Sequence, residues 1–322
     1  MAQFLEDKEI EFYKFHLEQI LRYREHTLSD KEEKLLATSG EMGRAARDAF
    51  DMLDNADLKL GEIEGEDGEP LSLTHGNFQS LMQVYDRRIR KDAFHTYYNA
   101  YESHRFTYST LLSASVKKDL FYSRSRNYSG YRAKALFSEN IAESVYDNLI
   151  ESVHQNFKPL YKYFDLRKRL LGVDELHAYD CAVPLVKNIK WHMPYEEAVE
   201  KIKISLQPLG TDYVERVGKG LLKDRWTDRY ENKGKRSGAY SSGCYDSNPF
   251  ILMNYKEDNI NSVYTLAHEA GHSMHSLFSR ENQPYLYADY TIFVAEVAST
   301  FNESLLTKFF LSQDIDPEMR IY

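Results

Sequence analysis

The stretch TLAHEAGHSMHS, residues 265–276, places three histidines and one glutamate within a few turns of a predicted helix. His268, Glu269 and His272 form the pattern H-E-x-x-H. On a helix, positions i and i+4 lie on one face, so two imidazole nitrogens can reach one ion. The glutamate, one position along, can reach a water beside that ion. The stretch therefore predicts a helix that carries a metal centre.

Zinc is the metal that this pattern favours. Catalytic zinc sites commonly take three protein ligands and leave one position for water. Zinc makes that water acidic near neutral pH, so Glu269 could accept its proton and pass it to a leaving amine. We predict one Zn²⁺ per chain, with His268 and His272 as ligands and Glu269 as general base. The alternative is a structural helical protein with packed histidines, which would bury polar groups at a cost.

The third ligand must come from outside this stretch. The metzincin pattern needs Gly at 275 and His at 278, where this sequence has His275 and Phe278, so that class is excluded. The downstream carboxylates are Glu281, Asp289, Glu296 and Glu303. In a second predicted helix, Glu296, Ser299 and Glu303 share one face. A helix hairpin would bring Glu296 to the metal, with Ser299 and Glu303 as hydrogen-bond partners of the ligands. For Ser299 and Glu303, the alternative is an ordinary polar face.

Two further groups of residues could contact a substrate. His275 lies one turn beyond His272, where it could touch substrate or pack as a structural histidine. The predicted hairpin over 238–246 and 250–255 is the only region with a strand pattern. Its candidate substrate contacts are Gly238, Tyr240, Ser241, Ser242 and Gly243. Small residues would let a peptide pair with the strand by main-chain hydrogen bonds, although an ordinary hairpin with permissive glycines is the alternative.

The composition predicts a folded protein that binds neither nucleic acid nor membranes. Hydrophobic residues make up 42% and charged residues 28% of the 322-residue chain, which suits a packed core. The net charge of −9 argues against a nucleic-acid partner, and no apolar run reaches the length of a membrane span. Cys181 and Cys244 form no disulfide framework, and the N-terminus lacks a secretory h-region. A cytoplasmic location is therefore predicted.

Apart from the hairpin, helical spacing of apolar residues dominates the sequence. The predicted segments include helices over 2–25, 41–54 and 86–126, a loop over 61–77, and a helix from Ser138 to Gly172 that Pro159 interrupts. Helical spacing is lost near 173–193, so we divide the chain into domains 1–190 and 191–322. The predicted fold class is mainly α-helical, with a small β-hairpin or sheet beside the H-E-x-x-H helix.

Three segments together resemble oligoendopeptidase F, in the thimet-oligopeptidase-like group of zinc metallopeptidases. They are GAYSSGCYDSNPFILMNY (238–255), YTLAHEAGHSMHS (264–276) and QPYLYADYTIFVAEVASTFNE (283–303). A weaker resemblance extends over most of the chain and includes AYDCAVPL (178–185). The resemblance implies a mostly helical, zincin-type fold with a deep channel. It also implies cleavage of internal bonds in short peptides, with His268, His272 and Glu296 as zinc ligands and Glu269 as the catalytic base.

One departure from the family concerns length. Family members continue beyond the second zinc helix, into helices with His and Tyr residues that bind substrate and stabilise the oxyanion, whereas this sequence ends at Tyr322. We therefore expect a fragment, in which 1–190 forms one wall of the channel and 191–322 an incomplete catalytic core. Each missing oxyanion donor would cost on the order of 10²–10³ in rate. The alternative function is a truncated, zinc-binding fragment that binds peptides but is catalytically impaired.

Overall fold

The computed structural model describes residues 7–186, 189, 191–232, 235–236 and 238–321. It divides into two compact units, Met1–Leu185 and Val186–Tyr322, which are described separately below. The domain division predicted from sequence lies between 190 and 191, and Lys190 is outside the described residues. Among the residues that are described, no helix is long and apolar enough to cross a membrane.

Helices form most of the first unit. They are α1 (Lys14–Arg22), α2 (Asp30–Met52), α3 (His75–Leu81), α4 (Arg87–Ser103), α5 (Arg105–Ser125), α6 (Tyr131–Phe137), α7 (Glu143–Gln155) and α8 (Phe157–Leu171). Short 3₁₀ segments cover Lys8–Tyr13, Tyr23–His26 and Ala178–Asp180, and a π-helical turn covers Leu53–Asp57. Residues 2–6 of the predicted first helix lie outside the described residues. Ser29 and Glu32 form a capping box at the start of α2.

Several predicted boundaries in this unit are wrong. The separate helix over 41–54 does not exist, because α2 runs through Gly40 and Gly43 without a break. The predicted loop over 61–77 contains two antiparallel strands, β1 (Glu62–Glu64) and β2 (Pro70–Ser72), which their acidic and proline residues concealed. The predicted long helices break at His104 and at Asn156, while Pro159 fits in the first turn of α8.

A buried aspartate organises the end of this unit. Asp180 is fully buried and accepts hydrogen bonds from Arg87 (2.8 Å) and Arg90 (2.9 Å) on α4. The backbone carbonyl of Asp180 also accepts from Arg167 on α8. This contact ties α4 and α8 to the segment 178–185, because a buried carboxylate requires cationic partners.

The second unit combines helices with a small sheet. Its helices are α9 (Tyr195–Ser205), α10 (Thr211–Leu222), α11 (Ile260–Asn282), α12 (Ile292–Ser312) and α13 (Pro317–Ile321), with 3₁₀ segments at Gln207–Leu209 and Tyr285–Tyr287. Its strands are β3 (Thr227–Asp228), β4 (Tyr240–Ser242) and β5 (Phe250–Leu252), in the order β3-β5-β4. Strands β4 and β5 form the predicted hairpin, and the unpredicted β3 pairs in parallel with β5.

Helices α11 and α12 form the antiparallel pair that carries the site. Contacts pair early residues of α11 with late residues of α12, as in Tyr264 with Thr307 and Ala267 with Asn302. The buried face of α11 also contributes Leu266, Ala270 and Met274 to the core of this unit. Strand β4 contacts α11 through Ser241 and Ser273. The predicted fold class, mainly α-helical with a small sheet beside the H-E-x-x-H helix, is confirmed.

Candidate metal centre

His268, His272 and Glu296 converge in the structure. Helix α11 places the two histidines one turn apart, and their Nε2 atoms are 3.1 Å from each other. Glu296, on α12, directs Oε2 to within 3.4 Å of His268 Nε2 and 3.5 Å of His272 Nε2. The three atoms therefore form a nearly equilateral triangle, with one corner contributed by a separate helix.

The size of this triangle fits a tetrahedral ion. Zinc binds imidazole nitrogen and carboxylate oxygen at about 2.0–2.2 Å, which separates the ligand atoms by about 3.3–3.6 Å in a tetrahedron. The observed edges of 3.1, 3.4 and 3.5 Å are close to that range. Two imidazoles and one carboxylate are also a donor set that zinc commonly takes in catalytic sites. The three side chains thus fit a zinc ion in both geometry and chemistry.

Both histidines have a further hydrogen-bond partner besides the triangle. His268 Nδ1 lies 2.5 Å from Glu303 Oε1, and His272 forms a hydrogen bond with the backbone of Ala295. Such contacts fix the tautomer in which Nε2 is free to bind a metal, and they orient each ring. Burial lowers the pKa of His272, with a further contribution from the neighbouring His268. Both effects favour the neutral imidazole that metal binding requires.

Ser299 orients the Glu296 carboxylate by hydrogen bonding. Its side chain is fully buried and donates to Glu296 Oε2 at 2.8 Å and to the Glu296 backbone carbonyl at 3.1 Å. The structure therefore brings both predicted partners, Ser299 and Glu303, into direct contact with the proposed ligands. Of the other carboxylates considered, Glu281 instead forms an ion pair with Arg216 at 2.6 Å, and Asp289 is exposed.

Glu269 is buried beside the triangle. Its side chain is only 6% exposed, and Oε2 has no hydrogen-bond partner among the described residues. Burial raises the pKa of Glu269, while the neighbouring His268 and a backbone hydrogen bond from Ser241 oppose this rise. An unpaired buried carboxylate oxygen costs stability, so its presence beside three metal-binding groups indicates a chemical role.

Strand β4 lies along the same face of α11 as Glu269. The hydroxyl groups of Ser241 and Ser273 are 2.8 Å apart, which fixes the strand against the helix. Tyr240 and Ser242 are exposed. Strand β4 pairs with β5 along one of its two edges. Because Ile251 directs its N–H to β3, the backbone groups of Ser241 point away from β5. Since the Ser241 N–H donates to Glu269, the Ser241 carbonyl oxygen is the backbone group that this outer edge of β4 presents next to Glu269.

The two glycines around β4 have structural reasons for their identity. Gly238 has a φ of +86°, a region that favours glycine. A Cβ on Gly243 would lie 2.8 Å from Arg280 Nη1 and 3.0 Å from the Asn248 carbonyl oxygen. These observations favour the alternative of turn and packing glycines for both positions, and contact between either glycine and a substrate stays a prediction.

His275 stacks on an aromatic ring that the sequence did not single out. The imidazole lies parallel to the Tyr290 ring, with 3.7 Å between centroids, and the Tyr290 hydroxyl is 2.6 Å from Ser276 Oγ. Burial lowers the pKa of His275. The stack accounts for this histidine as a packed residue, and a direct substrate contact stays a prediction. No local sequence pattern identifies Tyr290, because its partners lie on another element.

Two positions at the helix contact were also missed. A Cβ on Gly271 would lie 2.7 Å from Ser299 Cα and 2.8 Å from the Ala298 carbonyl oxygen, so α12 crosses α11 at this glycine. Asn302, only 1% exposed, donates from Nδ2 to the Ala267 carbonyl oxygen at 3.1 Å. A glycine between the glutamate and the second histidine was the one available signal for a close helix contact.

Comparisons with known proteins identify the family of this chain. Residues 80–321 match the model of peptidase family M3, and residues 1–59 match the model named Oligopeptidase F. The chain is 45% identical over 318 residues to oligopeptidase PepF of Bacillus subtilis, covering 99% of this chain and 47% of that protein. It is 43% identical over 308 residues to an oligoendopeptidase F homolog of Lactococcus lactis, covering 96% of this chain and 51% of that protein.

Solved structures give the same relationship. The chain matches oligoendopeptidase F from Enterococcus faecium with a TM-score of 0.72 and 35% identity, over 98% of this chain and 50% of that chain. A structure from Chlamydophila abortus gives a TM-score of 0.89 and 40% identity, over 99% of this chain and 53% of that chain. The chain spans about half the length of the relatives it matches. The expected resemblance to oligoendopeptidase F is confirmed, and the chain belongs to peptidase family M3.

Proposed function

We propose that this chain acts as a zinc-dependent endopeptidase that hydrolyses internal bonds of short peptides. One observation carries the proposal. Three ligand atoms, contributed by His268, His272 and Glu296, form a triangle of zinc-binding size beside the unpaired carboxylate oxygen of Glu269. Membership of peptidase family M3 and the names of its relatives support the same activity.

The metal would be held by both Nε2 atoms and by Glu296 Oε2. When bound there, zinc supplies a Lewis acid that polarises the scissile carbonyl group and lowers the pKa of a water molecule. Glu303 and the Ala295 backbone orient the two imidazoles, and Ser299 orients the Glu296 carboxylate. These partners remove the freedom of the ligands to rotate, which lowers the entropy cost of binding the ion.

Glu269 would move the proton. As the oxygen of water attacks the peptide carbonyl carbon, the Glu269 carboxylate accepts a proton from that water. It then donates this proton to the amide nitrogen as the carbon–nitrogen bond breaks, which releases a carboxylic acid and an amine. Burial raises the pKa of Glu269, which brings its proton affinity closer to that needed for both transfers near neutral pH.

A peptide would lie along β4. The Ser241 carbonyl oxygen faces away from β5, so an extended peptide could donate a main-chain hydrogen bond to this edge. Tyr240 and Ser242 are exposed beside the edge and would contact side chains of the bound peptide. Such binding depends on the backbone more than on side chains, and it would accept many sequences. Short peptides are therefore the proposed partners, and a cytoplasmic location stays a prediction from sequence.

The test combines metal content with activity. Zinc is measured after gel filtration, and cleavage of an internally quenched peptide is followed for the native chain and for Glu269→Gln. We expect about one zinc per chain in both proteins and hydrolysis only in the native one. Absence of stoichiometric zinc from the native chain would refute the metal site. Equal cleavage by Glu269→Gln would refute the general-base role.

The second candidate is a zinc-binding, peptide-binding fragment with impaired catalysis. It is favoured by the finding that the chain spans about half the length of its relatives. Fluorescence anisotropy with a labelled peptide distinguishes the two candidates. Binding of zinc and peptide without cleavage, together with cleavage by a full-length relative under the same conditions, would establish the second candidate over the first.

A further inference from the structure

Helix α12 has no single apolar face that would select its orientation on α11. Leu306 is fully buried against the core, but Phe293, Val297 and Phe301 on other faces of the same helix are 57%, 62% and 52% exposed. Apolar burial is non-directional, so the hydrophobic pattern alone permits α12 to rotate or to slide on α11. A different contact must determine which residues of the two helices meet.

A buried amide provides that contact. Asn302 is 1% exposed, donates to the Ala267 carbonyl oxygen at 3.1 Å, and accepts a hydrogen bond from the Tyr213 hydroxyl of α10 at 3.2 Å. A rotation or slide of α12 that separates these atoms would leave the amide buried without partners, which costs the free energy of removing it from water. Setting the register of packed helices is the best-attested role of a single buried polar side chain.

This contact adjoins the metal centre on both helices. Ala267 immediately precedes His268, and Asn302 immediately precedes Glu303, whose carboxylate lies 2.5 Å from His268 Nδ1. The amide contact and the carboxylate–imidazole contact are therefore consecutive links between the same two turns. A shift of α12 that displaces the amide contact also displaces the contact between Glu303 and His268. The same shift moves Glu296, which lies on an earlier turn of α12.

We propose that Asn302 is a positioning residue for the metal centre, which sets the register of α12 so that Glu296 and Glu303 meet the histidines of α11. The proposal rests on the zinc site of the proposed function. Asn302 itself touches neither the ligand atoms nor a substrate. It acts by orienting the helix that carries two of the groups around the ion.

Three variants of the full chain separate positioning from general stability. Asn302→Leu removes both hydrogen bonds at similar volume. Asn302→Asp keeps the acceptor for Tyr213 but loses the donor to Ala267. Tyr213→Phe is the matched control, because it removes one hydrogen bond of the same buried network and leaves the contact between Asn302 and Ala267 intact.

Two measurements follow. The zinc dissociation constant is obtained by competition with a chromophoric chelator, and the thermal midpoint of the metal-free protein is recorded. In ¹⁵N-histidine-labelled, metal-free protein, the downfield imidazole N–H resonance of His268 reports its contact with Glu303 without any metal. We expect the two Asn302 variants to raise the dissociation constant about 10–100-fold and to lose this resonance. Tyr213→Phe should keep the resonance, and its zinc dissociation constant should stay within about threefold of the native value.

The outcomes are distinct from those of the proposed function. Zinc binding by the native chain decides the metal site, whereas the resonance compares native and variant helices in the absence of zinc. If both Asn302 variants keep the resonance and the native affinity, Asn302 does not set the register. If Tyr213→Phe loses affinity as much as they do, in proportion to its thermal midpoint, the network serves general packing and the proposal fails.

Discussion

Gly271 of α11 lies directly against the backbone of Ser299 on α12. A Cβ on Gly271 would be 2.7 Å from Ser299 Cα and 2.9 Å from its amide nitrogen, distances at which real Cβ atoms are essentially never found. The absence of a side chain at this one position lets the two helices approach closely. Since Glu296 lies one turn before Ser299, this approach brings the third proposed ligand to the histidines.

We therefore predict that Gly271→Ala separates the helices. Alanine favours an isolated helix by about 1 kcal/mol over glycine, but the clash with α12 should cost about 1–3 kcal/mol of net unfolding free energy and most of the zinc affinity. Urea denaturation and chelator competition measure both effects. Gly40→Ala in α2 is the control, because no atom lies within 4 Å of its added Cβ, and it should stabilise the chain by about 0.5–1 kcal/mol. A native affinity in Gly271→Ala would contradict this account.

Glu296 and Glu281 provide a second comparison. Both were candidates for the third ligand, but only Glu296 approaches the histidines, while Glu281 pairs with Arg216. We expect Glu296→Gln to reduce bound zinc from about one per chain to near zero after dialysis against a weak chelator, because two imidazoles alone hold the ion poorly. Glu281→Gln should keep its zinc and lose at most about 1 kcal/mol of stability. Retention of zinc by Glu296→Gln would reassign the third ligand.

Loss of the contact between Glu303 and His268 should weaken zinc binding without abolishing it. Glu303→Gln keeps the size of the side chain but removes the charge that holds the imidazole. Zinc affinity should fall about 10–100-fold while the stoichiometry at saturating zinc stays at one. Ser304→Ala, the neighbouring exposed position on α12, should leave the affinity unchanged. An unaltered affinity in Glu303→Gln would mean that the contact does not support the ligand.

Asp180 predicts how the chain responds to acid. Burial alone would raise the pKa of this carboxyl group, but hydrogen bonds from Arg87 and Arg90 lower it to about 2. The folded-state pKa thus lies below the unfolded value of about 3.9. The resulting stabilisation is present above pH 4 and is lost as the pH falls toward 2.

Asp180→Asn should therefore destabilise the chain by about 2–4 kcal/mol at pH 7, and by much less near pH 2. Urea unfolding at several pH values measures this difference. Asp92→Asn removes a half-buried carboxylate that lies 3.7 Å from Arg88, and its effect should stay below about 1 kcal/mol at every pH. A constant loss for Asp180→Asn across the range would exclude the ion pairs as its cause.

Helix ends show where prediction from sequence succeeded and failed. Ser29 and Asn259 precede the first residues of α2 and α11, and such helix starts can be recognised from sequence because a capping side chain acts within a few residues of itself. The breaks at His104 and Asn156 were missed, because neither residue is a glycine or a proline. A break of this kind follows from the packing of the helices on either side, and the local sequence contains no signal for it.

In the candidate site, too, some features follow from local sequence and others only from packing. Helical periodicity places His268 and His272 on one face, and Glu296, Ser299 and Glu303 on another, because both relationships lie within one element. Whether those two faces meet is determined by residues far apart in sequence: the bare backbone of Gly271 and the buried amide of Asn302. Spacing along a helix follows from its 3.6-residue repeat. The few ångströms between two helices depend on close-packed contacts across the whole interface, which exist only in the folded chain.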